Sequence, residues 1–146
     1  MPKTNIDKFD EITGRIFADL YGAFPQPQHI PFSSYIDEDE EMPVGENVDL
    51  LAYQDAQEEF IQDTVTWLIE AGFINAASLG NGCYYNAVLT AKGLECLKLI
   101  PNSLGVSAGK GLKDAVVAGS LDVVKSIANQ VLAAGVSLAL AKVGIS

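Results

Sequence analysis

The sequence predicts an α+β protein that is mainly α, and three observations predict this class. Apolar residues recur at helical spacing along two long segments, 5–23 and about 49–71. Two strand-like runs, 73–79 and 83–90, flank the tripeptide Gly80-Asn81-Gly82, which is typical of a tight β-hairpin. The chain has 146 residues, 49% of them apolar and 19% charged, so it can bury a core.

The first predicted helix covers residues 5–23. Thr4 followed by Asp7 has the spacing of a capping box, in which each residue accepts a hydrogen bond from the backbone of the other. The proline-rich segment 25–31 ends this helix and favours extended backbone. We therefore expect a short edge strand at 28–32, and a second short helix that opens at Ser33.

The next predicted helix runs from about 49 or 53 to 71 and stops at Gly72. In the hairpin that follows, Asn81-Gly82 is expected to supply the positive φ values of the turn. Thr90 is then expected to cap a helix over 91–100, which a proline at 101 terminates.

The last third of the chain changes composition. Residues 102–111 are rich in Gly and Ser and are predicted to be a linker between a domain at 1–101 and an apolar helical appendage at 112–146. We expect a break at Gly119-Ser120 and an interruption of the final helix at Gly135. Small residues permit close helix packing, so 112–146 is the predicted contact of a homo-oligomer.

Two segments resemble the winged helix-turn-helix family. Residues 64–74 (TVTWLIEAGFI) resemble the end of its third helix entering the wing, and residues 88–97 (VLTAKGLECL) resemble its return strand and following helix. The resemblance covers about residues 5–100 and implies a winged helix with a two- or three-stranded wing sheet, followed by the C-terminal helices. It also implies that the third helix, at about 49–71, is a recognition helix of the kind that enters the DNA major groove.

The net charge of the chain argues against DNA binding by this helix. Nine Lys and Arg stand against nineteen Asp and Glu, for a net charge of −10. Between Arg15 and Lys92 there is no Lys or Arg, and thirteen acidic residues occur there. Carboxylates are repelled by phosphates, and nucleic-acid affinity depends on positive charge. We therefore do not expect nucleic acid as a partner. The alternative that the negative charge only keeps the domain soluble stays open.

We interpret the chain as a non-enzymatic interaction module or regulator that binds a basic protein. An immunity or antitoxin protein that masks a basic toxin would be a special case. The candidate contact residues lie on the predicted recognition helix and in the acidic block that precedes it: Asp55, Glu58, Glu59, Asp63 and Trp67, with Asp37, Glu38, Asp39, Glu40 and Glu41.

The alternative is a sequence-specific DNA-binding transcription regulator. It requires that the five basic residues of the first hundred positions gather in space beside the wing. Those residues are Lys3, Lys8, Arg15, Lys92 and Lys98.

No constellation indicates an enzyme, a cofactor or a metal site. His29 is the only histidine, and Cys83 and Cys96 do not form a Cys-x-x-Cys pair. The glycine-rich segment 105–111 departs from the phosphate-binding loop in spacing and lacks its Ser or Thr. The N-terminus shows no signal peptide, so a cytoplasmic location is expected. Peripheral membrane contact through 112–146 stays open.

Overall fold

The computed structural model describes residues 3–36, 49–102 and 104–145, with side chains as far as residue 137. It is mainly α with a small antiparallel sheet. The elements are α1 (Asn5–Ala23), β1 (Gln28–Pro31), a 3₁₀ turn (Phe32–Tyr35), α2 (Leu50–Glu70), β2 (Ile74–Asn75), β3 (Ser78–Gly80), β4 (Cys83–Leu89), α3 (Ala91–Lys98), α4 (Ala108–Ala118) and α5 (Leu121–Ile145).

Helix α1 begins and ends where the sequence predicts. The Thr4 hydroxyl accepts from the Asp7 N–H at 3.1 Å, and the Asp7 carboxylate accepts from the Thr4 N–H at 3.2 Å, which confirms the capping box. Ile16 and Phe17 near the middle of this helix are completely buried. Even the polar residues Asp10, Glu11 and Thr13 are buried, because helices and sheet cover α1 on several sides.

The sheet is built around β4. Strand β1 pairs with one edge of β4, and β2 and β3 pair with the other edge, all antiparallel. The predicted edge strand and hairpin are therefore present, with the first hairpin strand divided into two short pieces. The predicted turn geometry is wrong for Asn81: only Gly82 has a positive φ, at +79°. A single left-handed residue is enough to close this turn.

Two predicted helices are shorter than expected. The helix expected to open at Ser33 is a single 3₁₀ turn, Phe32–Tyr35, and α3 ends at Lys98 rather than at 100. The cap of α3 is as predicted: the Thr90 hydroxyl accepts from the Gly93 N–H at 3.1 Å. Helix α2 agrees with its prediction, capped by Asp49 and followed by Gly72 at φ +86°.

The C-terminal helices differ from their prediction at two points. Helix α4 starts at Ala108, so residues 108–111 of the expected linker are helical, capped by Ser107. Helix α5 continues through Gly135 without the expected interruption. A side chain at Gly135 would place its Cβ 2.3 Å from the Phe73 ring, so this glycine permits a close approach to Phe73 and does not break the helix.

Helices α4 and α5 pack onto α1. Leu112, Val124 and Ile127 belong to the same hydrophobic core as Ile12 and Ile16. Gly14 of α1 lets α5 come so near that an added Cβ would lie 2.5 Å from the Val124 methyl group. The apolar character of these helices is thus explained in large part by burial within the same chain. Their role in joining copies stays a prediction.

Two polar contacts also tie α1 to α5. The Asn129 amide donates to the Asp10 carboxylate at 3.0 Å, and the Lys125 ammonium lies 3.2 Å from the Asp7 carboxylate. Asp10 is only 3% exposed. Burial raises the pKa of its carboxyl, while the hydrogen bond from Asn129 acts in the opposite direction.

This buried carboxylate gives a pH-dependent prediction. An acid whose pKa is higher in the folded state opposes folding once pH rises through that pKa. Asp10→Asn removes the charge and keeps an oxygen that accepts from Asn129. We therefore expect a higher free energy of unfolding than wild type at pH 7 and a smaller difference at pH 4, because Asp10 takes up its proton at a higher pH than an unperturbed aspartate does. Urea unfolding at both pH values measures this.

The exposed Asp114, which pairs with Lys110 at 3.0 Å, provides the matched control. Asp114→Asn makes the same chemical change on the surface and is expected to alter stability by no more than about 0.5 kcal/mol at either pH. If Asp10→Asn destabilises the protein at pH 7, the buried charge is stabilising and the expected sign is wrong.

Candidate functional site

Helix α2 carries the candidate partner-binding face. Its fully buried residues are Ile61, Thr64, Val65 and Leu68, all in its second half. On the opposite side Asp55, Glu59 and Asp63 follow one another at four-residue spacing, and all three are exposed. Glu58 is half-buried at the flank of this row. The acidic block at 37–41 lies outside the described residues.

Trp67 continues this face toward the end of α2. It is 48% exposed. Its ring meets Phe9 of α1 edge to face, with centroids 5.4 Å apart and an interplanar angle of 88°. Asp63 lies four residues before it and Glu70 three residues after it, so both exposed acids neighbour Trp67 on the helix surface. The result is a fixed, partly exposed aromatic ring within an anionic surface.

Among the five basic residues considered for DNA contact, Lys3, Arg15 and Lys92 bond to groups of their own chain. The Lys3 ammonium lies 3.0 Å from the Glu11 carboxylate. Arg15 donates to the carbonyls of Ser34 and Tyr35 at 2.9 and 3.2 Å.

Of the remaining basic residues, two lie on α3 and one lies on α1. Lys92 donates to the Ala71 carbonyl at 2.7 Å and stands 4.6 Å above the centre of the Phe73 ring. Lys8 is half-buried on α1, and Lys98 is exposed in the last turn of α3. Arg15 and Lys92 thus donate to backbone carbonyls of their own chain, one in the 3₁₀ turn and the other at the end of α2.

A cavity of about 600 Å³ lies where α1, the 3₁₀ turn, the first half of α2 and the α4–α5 connection meet. Arg15 and Ile36 line it from one side, and Tyr53 and Phe60 of α2 line it from the other. Both aromatic residues belong to the helical apolar spacing that predicts α2, which favours their burial in the core. The structure leaves them only half-buried. This cavity is the feature that sequence reasoning missed, since its walls come from distant segments.

Two groups at this cavity have unusual surroundings. Arg15 stacks over the Tyr35 ring at 5.2 Å, and within the described residues no carboxylate pairs with it. The nearby Asp19 carboxylate instead accepts from the Tyr35 hydroxyl. Burial, followed by that hydrogen bond, raises the pKa of Tyr35. The Tyr53 hydroxyl is buried and has no hydrogen-bond partner.

The sheet carries two tyrosines on β4 and the histidine of β1. Tyr84 is buried and Tyr85 is partly exposed, as the alternation of a strand predicts. His29 of β1 accepts from the Asn86 N–H through Nδ1 at 3.2 Å and meets Tyr85 edge to face. His29 therefore links the edge strand β1 to β4.

Cys96 of α3 is a buried free thiol. Burial raises the pKa of Cys96, so this thiol stays protonated at neutral pH. Among residues 3–36, 49–102 and 104–145, no group of three or more His, Cys, Asp or Glu side chains is arranged to hold a metal ion. In the same part of the chain, no helix combines the length and the apolarity needed to cross a membrane.

Comparisons with known proteins find no matching family model, no matching curated protein and no matching solved structure.

Proposed function

We propose that this chain is a non-enzymatic protein-interaction module that binds a basic protein through the exposed face of α2. The observation that carries the proposal is the row of exposed carboxylates that ends at the half-exposed Trp67. Carboxylates steer a basic partner and form charge-assisted hydrogen bonds with it. Tryptophan is enriched among the residues that dominate binding energy at protein interfaces.

The order of elements supports an underlying winged-helix arrangement. A helix, an edge strand, a short turn of helix, a long helix, a hairpin and another helix follow one another, which is the order that the resemblance implies. In that arrangement α2 takes the place of the recognition helix. Since its exposed side chains include Asp55, Glu59 and Asp63 and no base, the same geometry favours a basic protein over a phosphate backbone.

Arginine is the side chain that this face would bind best. Its guanidinium stacks on tryptophan and at the same time bonds to carboxylates in pairs. Trp67 with Asp63 and Glu70 on either side offers both contacts. A protein that masks a basic toxin would need such a surface, so an immunity or antitoxin role is the specialised form of the proposal.

The test compares two variants that lose three negative charges each. One is Asp55→Asn with Glu59→Gln and Asp63→Asn, on the α2 face. The matched control neutralises three exposed acids on other helices: Glu95, Asp114 and Asp122. Each immobilised protein is exposed to its host's lysate at about 100 mM salt, where charge contacts survive, and again at about 500 mM.

We expect wild type and the control variant to retain the same basic protein at low salt, and the α2 variant to retain about ten-fold less of it. Emission of Trp67, the only tryptophan of the chain, should respond saturably when the purified partner is added. Equal retention by both variants would contradict the proposal. Retention of DNA of defined sequence, resistant to competitor DNA, would favour the transcription-regulator alternative.

A further inference from the structure

The cavity beside α2 is distinct from the acidic face. Its α2 wall includes Tyr53, Ala56 and Phe60. The acidic residues Asp55, Glu59 and Asp63 do not line it. Its volume of about 600 Å³ falls within the range of about 300–1,000 Å³ that is usual for small-molecule sites.

The walls of this cavity expose more apolar than polar surface, and the polar lining includes Lys8, Glu11 and Gln57 besides Arg15. All fully buried residues of α2 lie at or beyond Ile61. Before that point, Tyr53 and Phe60 line the cavity together with Ile12 and Ile36. Such a surface favours a ligand with an aromatic or branched aliphatic body, since burying apolar area is worth about 25 cal/mol per Å².

Arg15 supplies a positive charge that is already held in position. Its two bonds to the carbonyls of Ser34 and Tyr35 and its stacking on the Tyr35 ring fix the guanidinium. Carbonyls do not neutralise the charge, and an arginine has five N–H donors, so further donors remain. A carboxylate is the group that a guanidinium binds most specifically.

The Tyr53 hydroxyl adds a second reason to expect a polar ligand atom. It is buried without a hydrogen-bond partner, which is unfavourable for a folded protein. An acceptor oxygen from a bound molecule would satisfy it. We propose that this cavity is a binding site for a small organic carboxylate with an aromatic or branched aliphatic body, held by Arg15 and Tyr53.

Calorimetric titration of the full chain tests this with two probes of similar shape, 2-naphthoate and the neutral 2-naphthalenemethanol. We expect 2-naphthoate to bind at one site per chain, at least ten-fold more tightly than the alcohol. Tyr53→Phe removes only the hydroxyl and should weaken 2-naphthoate about five-fold. Ala56→Phe adds a ring to the wall of the cavity and should abolish binding.

Thermal unfolding of both variants confirms that they fold. Three results would overturn the proposal: no binding of 2-naphthoate up to about 1 mM, equal affinity for the alcohol, or unchanged binding by a folded Ala56→Phe variant. Capture of a basic protein tests only the α2 face, and calorimetry with 2-naphthoate tests only the cavity. Either proposal can therefore fail without the other.

Discussion

Replacing Ile127 by alanine is expected to destabilise the whole protein by about 2–5 kcal/mol. Ile127 is 2% exposed and lies in the same core as Ile12 and Ile16 of α1. The substitution removes three carbons from a site that closely packed helices cannot easily refill, and the higher helix propensity of alanine offsets less than about 0.5 kcal/mol of the loss. Urea unfolding, followed by far-UV circular dichroism and by Trp67 emission, measures the change.

Val123 provides the control on the same helix. It lies one turn before Ile127 and is 43% exposed, so Val123→Ala should change the free energy of unfolding by no more than about 0.5 kcal/mol. The choice of probes matters because Trp67 lies on α2. If α5 were a separate appendage, Ile127→Ala would leave the transition seen by Trp67 unchanged, and the shared core would be refuted.

The sequence predicts those elements whose signals are local. The predicted caps Thr4 and Thr90 fall at the start of their helices, and Gly72 follows the end of α2. Side-chain oxygens before an apolar stripe identify a helix start without any knowledge of the fold. The exposure of Asp55, Glu59 and Asp63 follows in the same way from helical periodicity, whereas Glu58, predicted on the same face, is half-buried.

The sequence does not predict contacts between distant segments. The apolar stripe of α5 shows that the helix is buried, but not that it packs on α1, more than a hundred residues earlier. Glycine has a low helix propensity, so the sequence predicts a break at Gly135. Only the position of the Phe73 ring shows why a glycine is needed there. The cavity is hidden for the same reason, since Arg15, Ile36 and Tyr53 meet only in the folded chain.

Gly93 shows how tertiary contact reverses a local preference. It lies in the first turn of α3, where alanine is intrinsically better than glycine by about 1 kcal/mol. An added Cβ would stand 2.1 Å from the Phe73 carbonyl oxygen, which is backbone and cannot rotate away. That oxygen also accepts from the Thr90 N–H at 3.1 Å, so moving it disturbs the junction between sheet and helix.

We therefore expect Gly93→Ala to lower the free energy of unfolding by about 3 kcal/mol, because the overpacking outweighs the gain in helix propensity. The effect should spread, since Phe73 also contacts Phe17 of α1 and Lys92 of α3. Gly22 is the matched control: a Cβ there meets only the end of the Lys113 side chain, at 3.3 Å, which can move aside. Gly22→Ala should leave stability unchanged or slightly raised. Equal unfolding midpoints in urea for the two variants would mean that α3 does not lie against the Phe73 backbone.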